Sequence, residues 1–218
     1  MDLKTMTPKR SFKRILSAVI ALTAAGVALN PVISSASQST TVAEVSTAEV
    51  STAEVSTSEL GKSVGDTALN SHNRYRSRHG VPALRYNRAM AARAQAWSAR
   101  MARTGNFQHS DRSARNGAGE NLYVSYTTGN LSESAVVAEA VKGWYDEIED
   151  YNYSRPGFSA ATGHFTQVVW KSSTRLGCGV AKGTKNLRGR NFNAYYVTCH
   201  YDPPGNFRGQ FPANVTRP

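Results

Sequence analysis

Cysteine is scarce in this chain: 218 residues carry two, Cys178 and Cys199. They lack CxxC spacing, which argues against a thiolate metal site, and a catalytic thiol has still less to recommend it. Acidic residues are also few, 15 Asp+Glu against 26 Lys+Arg, for a formal net charge of +11. The one G-x-S-x-G string, Gly61-Lys62-Ser63-Val64-Gly65, follows the polar repeat with no strand before it, so the strand-to-helix nucleophile elbow of one large hydrolase class is not expected. The longest apolar run, Ile15 to Leu29, falls short of the ~20 residues a membrane-spanning helix needs. The chain is therefore not expected to span a membrane.

That apolar run is informative by its position. Lys4, Lys9, Arg10, Lys13 and Arg14 precede it, and Asn30-Pro31 and small residues follow. Basic, apolar, then small is the order of a secretory signal, with cleavage expected after Ala36. Residues 1–36 are thus read as a signal peptide and the protein as secreted and extracellular. Residues 37–61 contain a five-residue repeat, TVAEV, STAEV, STAEV, STSEL, between Thr41 and Leu60. Lacking aromatics and a large apolar face, it reads as a linker or pro-segment. Residues 62–218 are long enough for one domain with its own core. All ten tyrosines, three tryptophans and five histidines fall there.

The same region holds 21 Lys+Arg against 10 Asp+Glu. Such a balance favours anionic surfaces such as a cell-wall polymer or an acidic membrane. For an exported protein nucleic acid is set aside as a partner. Export also places both cysteines in an oxidising compartment, where one bridge is their expected state. Their flanking segments both look like strands, separated by glycines and basic residues, as in a hairpin. A bridge closing a loop of that size contributes about 3 kcal/mol.

Helical spacing runs from Asp66 to Arg78 and stops at His79-Gly80. Asn87 is placed to cap a second helix through Met101, ended by Thr104-Gly105-Asn106. Glu120 to Tyr126 alternates like a strand. Ser132 is placed to cap a third helix with Val136, Val137, Ala140, Val141, Trp144 and Ile148 inward. A short helix is expected around Phe165 to Trp170, followed by the two cysteine-bearing strands. Helices flanking a small, mostly antiparallel sheet make an α+β layered domain.

Gly163-His164-Phe165-Thr166-Gln167-Val168-Val169-Trp170 is apolar enough to be buried, yet carries three polar side chains that then need partners. His109, Glu120, Glu147 and His164 are the residues best suited to chemistry. Two imidazoles and two carboxylates match the ligands of zinc or a similar divalent ion, or a general acid–base pair. They equally suit a His–Glu hydrogen-bond network joining helix to sheet, because no two stand at i, i+3 or i, i+4.

Gly163 to Trp170 resembles a signature of the CAP superfamily: cysteine-rich secretory proteins, antigen 5 and pathogenesis-related proteins of group 1. His72 to Leu84, Phe107 to Ser110 with Gly119 to Asn121, Trp144 to Ile148, and Tyr196 to Asn206 resemble its other motifs in order. The resemblance implies an α-β-α sandwich with a three-stranded antiparallel sheet core and a central cleft. It implies His109, Glu120, Glu147 and His164 as cleft residues able to hold a divalent cation, zinc foremost. With a single potential bridge, Cys178–Cys199, it is to secreted plant, fungal or bacterial members.

The stretch from Trp144 to Phe158 resembles the loop with which fungal members bind sterols, implying Tyr151, Tyr153, Pro156 and Phe158 as lipid-binding residues. Aromatics on a proline- and glycine-bent loop make apolar walls for ring-shaped ligands. The expectation is a monomer that binds a sterol or other lipid without acting as an enzyme. Two alternatives stand beside it: a metal-dependent or serine-type hydrolase or peptidase using His109, His164 or Ser110, and a non-enzymatic cell-wall or host-surface module acting in defence or virulence.

Overall fold

The computed structural model describes residues 47–218, with side chains from Ser63 onward. The expected signal peptide and the first part of the repeat lie outside the described residues. Helix α1 spans Thr47–Arg78. It begins well before Asp66, because the Ala- and Glu-containing repeat continues the helical backbone from Thr47. Among the described residues no helix is long and apolar enough to cross a membrane.

Helix α2, Arg88–Thr104, starts at Asn87, whose side chain accepts from the Met90 amide, and ends at Gly105 in the left-handed region, φ 69°. Helix α3, Glu133–Asp146, is capped by Ser132 through the Ala135 amide. A 3-10 turn, Glu147–Asp150, follows it directly. Helix α4 is Gly163–Val168, and α5 is a single turn, Phe211–Asn214.

The sheet has four strands rather than three, in the order β1-β3-β4-β2. Strands β2 (Gly119–Thr127), β3 (Arg175–Leu187) and β4 (Arg190–Asp202) are the antiparallel core. The fourth, β1, is only Arg85–Tyr86 and lies parallel to β3 at the edge. Two residues carry no alternation, so nothing in the pattern marked them. The β3–β4 hairpin turns at Arg188 and Gly189, φ 52° and 80°, the paired positive angles that match strand twist.

Alternation along β4 sorts its side chains into two layers. Tyr195, Val197, Cys199 and Tyr201 enter the core shared with α1, α3 and α4. Ala194 and Tyr196 enter a second core with Met101 and Trp97 of α2. The result is the expected α-β-α sandwich. Cys178 and Cys199 are register partners and form the disulfide, buried in the first layer.

Helix α2 lies unusually near β3 because the strand presents glycines to it. A Cβ on Gly177 would fall 2.3 Å from the Ala91 nitrogen, and one on Gly179 would fall 2.4 Å from the Gln95 Cα. The Gln95 amide exploits this closeness, bonding both the Val180 carbonyl and amide at 2.9 Å.

Candidate functional site

The four candidate His and Glu residues form two separate pairs. In the first, strand β2 presents Glu120 to the loop carrying His109. The Glu120 side chain is 1% exposed and accepts four hydrogen bonds. His109 Nδ1 (2.7 Å) and the Ser110 amide (2.9 Å) reach Oε1; the Ser110 hydroxyl (2.6 Å) and His200 Nε2 (3.0 Å) reach Oε2. Arg115 stands 3.6 Å from Oε1. Burial works against the charged form, but the bonds from His109, His200 and Ser110 together outweigh it and hold this carboxyl well below the usual range.

In the second pair Glu147, at the C-terminal end of α3, reaches the start of α4. Its Oε2 accepts from the His164 and Phe165 amides at 3.0 and 3.1 Å, and Oε1 accepts from His164 Nδ1 at 2.6 Å. Glu147 is the N-terminal anchor that α4 otherwise lacks, since Thr162 makes no side-chain cap. The other end of α4 is held by buried Arg76, which donates to the carbonyls of Val168, Trp170 and Ser173 at 3.0, 2.8 and 3.0 Å. Carboxylate at one end and guanidinium at the other fix the helix that carries the Gly163–Trp170 motif.

In both pairs the ionised carboxylate can only accept, so Nδ1 carries the proton and Nε2 presents its lone pair when the ring is neutral. The His164 ring also stacks on Trp144, centroids 6.3 Å apart. The pairs do not merge: among the described residues no group of three or more His, Cys, Asp or Glu comes together to hold an ion. The glutamates orient the imidazoles and cap backbone, and each of their oxygens accepts at least one hydrogen bond.

Among the described residues Ser110 and His109 do not hydrogen-bond each other. The Ser110 hydroxyl donates to Glu120, and His109 turns the ring nitrogen of its observed bond to the same carboxylate. The polar members of the Gly163–Trp170 motif serve structure. Thr166 bonds Asn206, and Gln167 joins the Gly205 amide to the Ser173 hydroxyl.

His200 was missed by sequence reasoning. It is the register partner of Glu120 across β2 and β4, a relation visible only once the strands are paired. A second unforeseen element is the buried relay around His72. The ring donates from Nδ1 to the Ala68 carbonyl (2.7 Å) and accepts the Tyr201 hydroxyl at Nε2 (2.8 Å). Tyr201 in turn accepts from Asn121, which also donates to the His164 carbonyl. Burial pushes the His72 ring down to about 4, the bond to Ala68 opposing and Arg76 adding to the shift.

The four loop candidates separate by environment. Tyr151 is buried in the core against Phe165, and Tyr153 is half-buried against it, their rings edge to face at 4.8 Å. Pro156 is exposed, and Phe158 is 64% exposed. The Tyr151 and Tyr153 hydroxyls are shut off from solvent without a hydrogen-bond partner, although Tyr151 points toward the Gly157 backbone. The Phe158 ring rests on Gly163, where a Cβ would fall 2.9 Å from it. Asn206 bonds the Gly163 carbonyl at 2.9 Å, and its neighbour Phe207 is 42% exposed.

The cysteine-rich secretory protein family (CAP) profile matches residues 69–201. The chain is 36% identical over 167 residues to the Golgi-associated plant pathogenesis-related protein 1 of Homo sapiens, covering 73% of this chain and 99% of that one. It is 39% identical over 160 residues to the secreted protein RBT4 of Candida albicans, covering 69% of this chain but 40% of that one. Among solved structures, NaASP2 with Zn2+ aligns at a TM-score of 0.52 and 24% identity, covering 66% of this chain and 82% of the other, a likeness of fold. Motifs, sandwich and relatives agree: the chain belongs to the cysteine-rich secretory protein (CAP) family.

Proposed function

We propose that this protein is secreted and binds a sterol or similar apolar lipid at the 151–158 loop, without changing it chemically. The observation that carries the reading is the Phe158 ring, 64% exposed on a proline- and glycine-bent loop whose Tyr151 and Tyr153 are anchored to the core. A large aromatic ring held out to solvent on an anchored loop is a surface for an apolar ligand to cover. Secretion is supported by the leader pattern and by a relative named as a secreted protein. The test is equilibrium binding of a radiolabelled sterol to the purified protein. Saturable binding with the sterol recovered unchanged supports the reading; absence of saturable binding, or recovery of a modified product, overturns it.

A divalent ion is the second reading, favoured by the paired geometry of His109 and His164. Imidazoles whose Nδ1–H is held by a carboxylate are oriented to ligate through Nε2. Of the proposed set, His109 and His164 would hold the ion, while Glu120 and Glu147 fix the rings. The ion would supply Lewis acidity there; these residues position the imidazoles and keep their protons on Nδ1. Zinc titration by calorimetry should show heat in the wild type and lose it in His164→Ala, and a wild type without heat sinks this reading.

A further inference from the structure

We propose an anion site, independent of the lipid loop, in the cavity between the start of α2, the 112–118 turn and the first residue of β3, with the chemistry of a phosphomonoester receptor. The cavity measures about 300 Å3 and is lined by three arginines, Arg93, Arg115 and Arg175, with Asn87, Asn116 and Asp202 among its other walls. These arginines come from three separate elements that the fold brings together. One acidic side chain faces them, and it is paired: Asp202 contacts Arg175, its cross-strand partner. Among the lining residues arginines outnumber carboxylates three to one, and the one further carboxylate at hand, Glu120, lies behind Arg115 at 3.6 Å.

The guanidiniums are not equally occupied. Arg115 is fixed in place, with Nε on the Ala118 carbonyl at 2.8 Å and Nη1 on Ser110. Its carboxylate neighbour Glu120 already accepts four other bonds. Arg93 is different: its Nε is shut off from solvent and has no hydrogen-bond partner. Among the described residues no ion pair engages Arg93 either, so its guanidinium lines the cavity without a charge partner, which an oxyanion there would supply. Asn116 and Gly117, at φ 53° and 72°, fold the turn back so that Arg115 and Asn116 face the same space as Arg93.

Phosphate suits this wall better than a single carboxylate. A phosphomonoester brings close to two negative charges and three acceptor oxygens, against donors converging from several directions. Guanidinium forks are the side chains that match such oxygens in pairs. The first turn of α2 adds the favourable sign of its dipole. The volume leaves room for a few carbons beyond the phosphate, so the ligand class is a small phosphate ester or the phosphate end of a lipid headgroup.

The experiment is calorimetry of the full chain with inorganic phosphate and with glycerol phosphate. The expected result is one saturable site per chain, weakened by added sodium chloride. Arg93→Ala should lower the affinity at least about tenfold. Asp202→Asn removes the opposing charge and should raise it, a direction that a folding defect cannot imitate. Vesicles of phosphatidylcholine with and without phosphatidic acid separate the sources. Recruitment that glycerol phosphate competes away and Arg93→Ala abolishes identifies a lipid headgroup; binding of free phosphate esters without recruitment identifies a soluble ligand. No saturable heat with either phosphate in the wild type, or equal affinity in all three proteins, overturns the proposal.

Discussion

His109–Glu120 and His164–Glu147 are the same two residue types joined by the same atoms, yet they do different work. Glu120 is buried, accepts four bonds and ties a loop to the sheet. Glu147 is 22% exposed and ends two backbone amides of a six-residue helix. The first is a saturated internal anchor and the second a helix cap with an imidazole attached. Residue identity alone does not separate an anchor from a cap; the count of bonds each carboxylate already makes does. Both pairs orient an imidazole, and neither leaves a carboxylate oxygen unengaged.

The sharpest way to break this comparison is to remove each carboxylate. Glu120→Ala should destabilise the fold by roughly 3–5 kcal/mol, because it leaves a buried histidine and a backbone amide unpaired. Glu147→Ala should cost about 1–2 kcal/mol, the scale of a lost helix cap. Urea unfolding of the two variants checks the ordering, and equal losses would erase the distinction drawn between anchor and cap.

Acid sharpens the same contrast from another side. His72 is buried and already both donates and accepts, so the folded state resists its protonation down to about 4. The unfolded ring takes its proton near the ordinary 6.5. Between those values the unfolded state binds more protons, so stability falls as pH falls. The drop should approach about 3 kcal/mol across the window. Glu120 behaves differently. Its depressed value means that its contribution is fully present above the ordinary carboxylate range and is lost only as pH falls through that depressed value. His72→Gln should flatten the upper window while leaving the lower one intact, as read from unfolding midpoints across pH.

Much of the sandwich was legible because its signals are local. Asn87, Gly105 and Ser132 announce helix ends by side-chain chemistry, and the inward stripe of α3 follows a helical period. The disulfide was legible from two strand-like flanks. What could not be read depends on pairing across long sequence distances. Strand β1 is two residues held by β3, and His200 meets Glu120 only through β2–β4 register. The arginine cavity gathers positions 93, 115 and 175 that share no motif. The loop aromatics were grouped as one wall, whereas Tyr151 belongs to the core and Phe158 to the surface; Phe165, already named in the motif, is what claims Tyr151.

The smallest structural perturbation carries the most functional information. Changing Tyr153 and Phe158 together to Ala touches the outer face of the loop, while His164→Ala removes an imidazole that Glu147 merely orients. Side-by-side saturation binding of a radiolabelled sterol to these two variants and the wild type is the most direct test of the central claim. The loop variant should lose at least about tenfold in affinity, as expected when contact aromatics are removed, and His164→Ala should bind as the wild type does. An unchanged loop variant, or an equal loss in His164→Ala, would contradict a lipid site carried by the loop apart from the histidine pairs.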